Sequence, residues 1–389
     1  MQKINLKTAR QFIISNQFDF GKNSTTHEII QHLGYVQIDT ISVIQRTHHH
    51  VLWTRNPKYQ IGEIQKLVKE KKVFDYWAHA ASYLPIEDFR FSLIRKSQVG
   101  EGDGFWYEKN PKNMKFVLDR IKAEGPLMSR DFKKAKIKSD IPWIKSPINQ
   151  AIMQLFSEGK IMIVERQGFQ KKYDLSERAI SKSVNTKMPT EKEYLKYLIK
   201  RDLRAHGLKK AREIGYLLKI DRKELKNILE KMVKSGELEA NEIKDMEGET
   251  YFSLPNALED FSNKKTKKEF HILSPFDNIL IQRKRVKEIF GFEYLLECYV
   301  PEAKRKVGYF SLPLLYGNEF IGQIDLKADR KKKQLLIRNL VWEKEVKKSD
   351  VMRNAFRKKL NQLMQFNNCE ELVLEKKAKM AGGEFLITI

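Results

Sequence analysis

The chain has 389 residues and carries 74 Lys and Arg against 50 Asp and Glu, a net charge of +24. With 41% hydrophobic and 11% aromatic residues it is too apolar for a disordered chain and too long for one ordinary core, so two to four domains are expected. The positive excess points to a polyanionic partner, either nucleic acid or an acidic membrane surface, or else to a Lys-rich proteome. Its two cysteines, Cys298 and Cys369, form no CxxC, which excludes a disulfide framework, a four-Cys zinc site and a four-Cys iron–sulfur cluster. The first twenty residues hold no apolar leader segment and no run approaches 18 apolar residues, so a soluble, cytoplasmic protein without a membrane partner is expected.

In chain order, TARQFIISNQF, TTHEIIQHLG and the strand-like YVQID suggest a first compact unit in the N-terminal hundred residues. A clearer unit runs from Asn113 to Leu175. A helical pattern breaks at Gly125-Pro126, Ser129 caps a second helix, INQAIMQLFSEGKI forms a third, and two strand-like runs surround Gly168. Three helices followed by a two-stranded hairpin is the winged-helix pattern. It recurs from Glu191 to Leu254, with EYLKYLIKRDLRAHG, KKAREIGYLL and RKELKNILEKMVKSGEL before the hairpin ELEANEIKDMEGETYFSL. Leu155 to Ile161 lies in register with Met232 to Leu238. Beyond the Lys-rich linker at Asn263 to Phe270, the runs YLLECYV, VGYFSLPLLYG, EFIGQIDLKAD and QLLIRNLVW read as short strands, with a late helix near NAFRKKLNQLMQF. The expected fold is α+β: winged helices over 1–110, 111–185 and 186–262, then a small antiparallel β-barrel-like module over 263–389.

No GxxxxGK[ST], HExxH or GxSxG motif is present. Chemistry concentrates in GYVQIDTISVIQRTHHHVLWTR, Gly34 to Arg55. If Tyr35 to Thr40 is a strand, Gln37 and Asp39 share one face about 7 Å apart, suited to hold a water between carboxylate and amide. On a helix the two would diverge by about 200°. The plain alternative is the polar face of an amphipathic strand. His48, His49 and His50 cannot all face one metal ion in an extended chain, and no second ligand cluster stands near them. The choice is between one inward imidazole, at His48 or His50, and an exposed polar turn. FDYWAHAASYLP, Phe74 to Pro85, gathers Tyr76, Trp77, His79 and Tyr83. Trp77, with Trp53, is suited to stack on a base or wedge a duplex, or else belongs to a helix core. Arg46, Arg55, Lys58, Arg90 and Arg95, and the run Gln282, Arg283, Lys284, Arg285, suit phosphate contacts or are solvated surface charge.

At these residues the sequence resembles the YcaQ/AlkZ family of bacterial winged-helix DNA glycosylases. The carriers are QIDT (Gln37 to Thr40), RTHHHVLWTR, DYWAHAASYLP, SPFDNILIQRKR (Ser274 to Arg285), FGFEYLLECYVPEAKRKVGYFSLPLLYG and GQIDLKADR, in order along nearly the whole chain. The resemblance implies tandem winged helices and a β-barrel module forming a concave DNA-holding surface. It also implies a catalytic Gln-x-Gln or Gln-x-Asp pair, here Gln37 and Asp39 as in the YcaQ-like branch, with Thr40, His48, Trp53, Trp77 and His79 in support. Arg46, Arg55, Gln282, Arg283, Lys284 and Arg285 are the expected DNA contacts. The implied reaction is excision of N7-alkylguanine and unhooking of interstrand crosslinks in double-stranded DNA, by a monomer with no metal or cofactor, in a nucleoid-associated setting. The triple histidine departs from the family pattern, so no role passes to His49 or His50.

N7 alkylation makes the guanine cationic, so the base leaves neutral and needs no general acid. A carboxylate that stabilises the oxocarbenium-like sugar and activates water, with an amide to orient that water, then suffices. A lyase route would need an amine nucleophile, and no lysine stands out in the sequence as desolvated. A crosslinked base remains tethered to the other strand, so an open cleft is expected rather than a snug pocket. The alternative reading is a non-enzymatic winged-helix regulator, although no dimerising heptads or effector domain are seen. A nuclease would need a metal-binding carboxylate cluster, which the sequence lacks.

Overall fold

The computed structural model describes residues 2–381 except 22, 103–107, 133–145, 169, 245, 247, 263–267, 344, 345, 347 and 348, and of residues 376–381 the backbone alone. The chain opens with β1 (Gln2–Ile4), α1 (Leu6–Phe18), α2 (Thr26–Leu33), β2 (Val36–Gln37), α3 (Thr47–Arg55) and α4 (Gly62–Lys69). There follow the hairpin β3 (Val73–Trp77) and β4 (Ala81–Pro85), then α5 (Leu93–Gly100), α6 (Pro111–Glu124), β5 (Leu127–Met128) and α7 (Pro147–Ser157). Next come β6 (Ile161–Gln167), β7 (Gln170–Leu175), α8 (Ser176–Ala179), α9 (Glu191–His206), α10 (Arg222–Lys234), β8 (Glu239–Ile243), β9 (Tyr251–Ser253) and α11 (Ala257–Ser262). The chain continues with β10 (Phe270–Ile272), α12 (Arg283–Phe290), β11 (Ser311–Tyr316), β12 (Glu319–Asp329), β13 (Gln334–Trp342), α13 (Asp350–Phe366) and β14 (Glu371–Ala381). Two compact units result, one of residues 26–35 and 60–197, the other of residues 1–25, 36–59 and 198–389.

In the first of these, α6 starts at Pro111 with the Asn110 side chain accepting the Asn113 N–H, as proline at the first helical position and asparagine at the cap favour. The Ser146 hydroxyl caps α7 in the same way. That helix stops at Gly159, whose φ of 72° suits glycine. The Lys160 N–H then closes on the Leu155 carbonyl at 2.9 Å and launches β6. β7 pairs antiparallel with both β6 and β5. Val117, Ile121, Ile152, Leu155, Ile161 and Tyr173 are buried, filling this unit's core. The expected second helix after Ser129 is a single 3-10 turn, Ser129–Phe132, and its continuation lies outside the described residues.

The other unit repeats the arrangement. Asp221 caps α10, Gly236 ends it at φ 74°, and the Leu238 N–H returns to Met232 at 3.2 Å before β8. β8 and β9 pair antiparallel, and a bridge from Lys209 to Phe252 on β9 stands where β5 stands on β7. The expected helix KKAREIGYLL shrinks to the 3-10 turn Ala211–Glu213, because Gly215 and Leu217 take positive φ and break the pattern. β1 adds a parallel strand to β8.

β10 to β14 form one sheet in sequence order. The pairs from β10 to β13 are antiparallel, whereas β14 runs parallel to β13. The expected all-antiparallel module is thereby corrected: α13 is the crossover a parallel pair requires, burying Met352, Phe356, Leu360 and Leu363. YLLECYV is not a strand but a loop holding the 3-10 turn Glu297–Tyr299. FDYWAHAASYLP is the β3–β4 hairpin rather than a helix, with Val73 opposite Pro85 and Trp77 opposite Ala81.

Candidate active site

β2 contains only Val36 and Gln37, so Asp39 lies beyond the strand. The expected strand from Tyr35 to Thr40 is corrected, and the pleat does not set the spacing of Gln37 and Asp39. Gln37 is 8% exposed, Asp39 half-buried and Thr40 exposed. Local hydrogen bonding replaces the pleat: the Ile41 N–H donates to Asp39 Oδ1 at 2.7 Å, turning the chain back on itself. The following loop is clamped to the five-stranded sheet. The Ala328 N–H donates to the Val43 carbonyl at 2.8 Å, and the Arg330 guanidinium donates to Ser42 and Ile44 carbonyls at 3.1 and 2.8 Å.

Burial raises the Asp39 pKa above its ordinary value, while N–H bonds from Ile41 and Thr40 pull it back. Cys298 lies within electrostatic reach: burial and then the Asp39 charge raise its thiol, and Arg283 acts the other way. Arg283 sits 5.4 Å from the centre of the Tyr294 ring. The Tyr294 hydroxyl donates to the Ser311 carbonyl at 2.9 Å. Asp39 is thus a half-buried carboxylate whose charge reaches the Cys298 thiol, as does the opposite charge of Arg283. Such a carboxylate can stabilise a cationic sugar and, when ionised, accept a proton from water.

The histidines lie on α3, not on an exposed turn. His48 is 4% exposed and its ring centroid lies 4.2 Å from that of His49. His49 Nδ1 and the Tyr59 hydroxyl are 2.8 Å apart, and burial followed by the Arg46 charge lowers the imidazole to about 4. His50, lowered by burial to about 4, is neutral and its Nε2–H donates to the Ile272 carbonyl at 2.8 Å. Among the described residues no cluster suited to a metal ion exists.

Of the side chains expected to meet DNA, Arg55, Arg285 and Trp53 are buried. Arg55 has a fully buried side chain, bidentate to Asp277 at 2.7 and 2.9 Å and bonded to Gln17, so its charge is spent inside the protein. Arg285 is likewise buried, bonded to Glu213 at 3.2 Å and to the Leu208 carbonyl. Trp53 is 3% exposed and stacked on Phe366 at 5.1 Å, which leaves no face for a base. Gln282 donates its amide to the Glu213 carbonyl at 2.9 Å. Arg46 and Arg283 are half-buried and Lys284 is exposed. Trp77 and His79 belong to the other unit. Trp77 is 38% exposed beneath the Arg95 guanidinium at 5.6 Å, and His79 meets the Tyr35 ring edge-on at 5.2 Å. Lys58 is exposed, and Arg90 pairs with Glu193 at 3.2 Å.

Sequence reasoning passed over Cys298 and the Arg330 clamp. Pro301 just after YLLECYV was a signal against a strand there. It also missed a desolvated lysine. Lys96 is 5% exposed, its Nζ makes no hydrogen bond among the described residues, and burial lowers it to about 7. Its Nζ lies 3.8, 4.7 and 5.4 Å from the ring centres of Phe89, Tyr76 and Phe74, among aromatic side chains. A separate cavity of about 520 Å³ lies among Phe18, Phe20, Phe261, His271 and Lys359 and shares no lining residue with the Asp39 loop. Its lining carries the carboxylates Asp19, Glu269 and Glu319 and the cations Lys7, Arg55, Lys268 and Lys359.

Comparison with known proteins gives the class: an enzyme acting on a glycosidic bond rather than a regulator. The profile described as DNA glycosylase AlkZ-like matches residues 30–366, and the chain belongs to that family. It is a DNA glycosylase, a DNA-binding hydrolase of DNA repair. The fold is similar to that of the Streptomyces sahachiroi DNA glycosylase AlkZ, with a TM-score of 0.65 at 13% identity, covering 96% of this chain and 100% of that one. No helix among the described residues is long and apolar enough to cross a membrane.

Proposed function

We propose that this glycosylase hydrolyses the N-glycosidic bond of N7-alkylguanine in double-stranded DNA and unhooks interstrand crosslinks, with Asp39 as its catalytic carboxylate. The single observation that carries the reading is the half-buried Asp39 carboxylate, fixed by the Ile41 N–H in a loop clamped through Arg330. In this scheme ionised Asp39 stabilises the oxocarbenium-like sugar and takes a proton from the attacking water. Gln37 orients that water, and the cationic base departs neutral. The mechanism is monofunctional, since it uses water as the nucleophile. The matching helix–glycine–hairpin segments around Gly159 and Gly236 support reading 111–185 and 186–262 as winged helices, and the five-stranded sheet supports 263–389 as the β-rich module, whereas 1–110 is divided between the two compact units. A monomer working on nucleoid DNA fits the basic charge.

The test is a duplex carrying a single N7-methylguanine or a nitrogen-mustard crosslink, incubated with protein and then treated with alkali to reveal abasic sites. Wild type should cleave, and Asp39→Asn should lose about 10²- to 10⁴-fold in rate. Because burial raises the Asp39 pKa above its ordinary value, the rate should fall as pH drops through that raised value. Undiminished release by Asp39→Asn would sink the assignment.

A further inference from the structure

Exposed apolar side chains are common singly on a protein surface and need no explanation. Two on one braced loop beside a candidate catalytic carboxylate are a different matter. Tyr299 is 86% exposed and Leu295 is 58% exposed. Their loop ends at Gly308, which lies against the Asp325 side chain on β12, three residues before the Ala328 whose N–H holds the Val43 carbonyl of the Asp39 loop.

The loop that carries them is held from inside. Glu297, 4% exposed, accepts N–H bonds from Lys306, Val307 and Gly308 at 2.8, 2.9 and 2.9 Å. The Val300 N–H donates to the Glu297 carbonyl at 2.9 Å, and Arg305 Nε donates to the Val300 carbonyl at 2.8 Å. Tyr294, at the start of the loop, is fixed through its hydroxyl to Ser311. A buried anion thus organises the turn while its aromatic tip faces solvent. Few rotamers are lost when such a tyrosine binds a flat partner.

We infer that Tyr299, aided by Leu295, stacks on a base at the step next to the nucleotide presented to Asp39, and so positions the damaged duplex. It touches DNA but takes no part in bond cleavage. Arg283 and Lys284, on the neighbouring α12, supply phosphate contacts that seat the backbone beside that ring. The inference rests on the glycosylase reading of Asp39 for its purpose, though not for its test.

The experiment uses the full-length chain with Asp39→Asn, so no base need leave. A duplex carrying an abasic analogue with 2-aminopurine as the flanking base reports unstacking by fluorescence. The Asp39→Asn protein should change the fluorescence and bind the duplex. Adding Tyr299→Ala should abolish the change and weaken binding about 5- to 100-fold, as loss of base stacking does. Phenylalanine at 299 should restore most of both. Val351→Ala, which removes a 71% exposed side chain from α13, is the control and should leave both intact. In a protein otherwise wild type, Tyr299→Ala should raise KM for N7-methylguanine duplex more than it lowers kcat. Circular dichroism should be unchanged, since the side chain is outside the core. If Tyr299→Ala alters neither fluorescence nor affinity, the inference is overturned. Failure of the wild-type protein to release any base would overturn the reaction assigned above while the fluorescence result still decides Tyr299.

Discussion

Replacing Lys96 by methionine should stabilise the unit of residues 26–35 and 60–197 at neutral and acid pH. The side chain lies over Gly159 and ends among Phe74, Tyr76 and Phe89, with no hydrogen-bond acceptor for its ammonium among the described residues. Burial lowers its pKa from an ordinary 10.5 to about 7. That interval corresponds to roughly 5 kcal/mol against the folded charged form. Attraction of the three rings for the ammonium offsets about 1–2 kcal/mol, leaving a net cost of about 3 kcal/mol. Below pH 7 both states hold the proton and the cost is present in full. Between pH 7 and 10.5 the unfolded chain holds more protons than the folded one, so wild-type stability should rise with pH. Methionine keeps the length that covers Gly159 and removes the charge. The assay is urea unfolding from pH 6 to 9.5, followed by amide exchange in α5, which reports this unit by itself. The expected result is a gain of about 3 kcal/mol for Lys96→Met at pH 6, shrinking towards pH 9.5. A wild-type stability that is flat or falls over that range, or a variant weaker at pH 6, would refute the reasoning.

The two helix-ending glycines offer a paired test. Alanine at Gly236 meets open space and should cost only the backbone strain of positive φ, about 1 kcal/mol. At Gly159 the added carbon would lie 2.5 Å from Lys96 Cδ, so thermal unfolding should show a further loss of about 1–2 kcal/mol. Arg55→Leu should cost about 3–5 kcal/mol by leaving Asp277 buried and unpaired, while the double change Arg55→Leu, Asp277→Leu should recover much of it. Denaturant unfolding of the four-member cycle checks this, and equal losses in the single and double variants would contradict it. Arg283→Gln and Lys284→Gln should each lower affinity for undamaged duplex and flatten its salt dependence by about one counterion, read by fluorescence anisotropy over a salt series. Arg285→Gln should instead lower the melting temperature, because its guanidinium is bonded to Glu213 inside the protein.

Where the information is local, the sequence was enough. The helix ends at Gly159 and Gly236 follow from a few consecutive residues, as do the strands Glu319–Asp329 and Gln334–Trp342. The segment around Gln37 and Asp39, together with the ordered strings along the chain, marks the family by sequence pattern alone. What tertiary structure decided was the fate of charges and rings whose partners are remote. Arg55 was read as a DNA contact because nothing near it in sequence reveals Asp277, 222 positions away. His50 found its acceptor at Ile272, across the same gap. Asp39 owes its place to the Ile41 N–H in a loop that Ala328 and Arg330 clamp from the five-stranded sheet, and Cys298 comes beside it only through the fold. The composition fixed an abundance of positive charge, but burial and pairing determined which cations remain available to DNA.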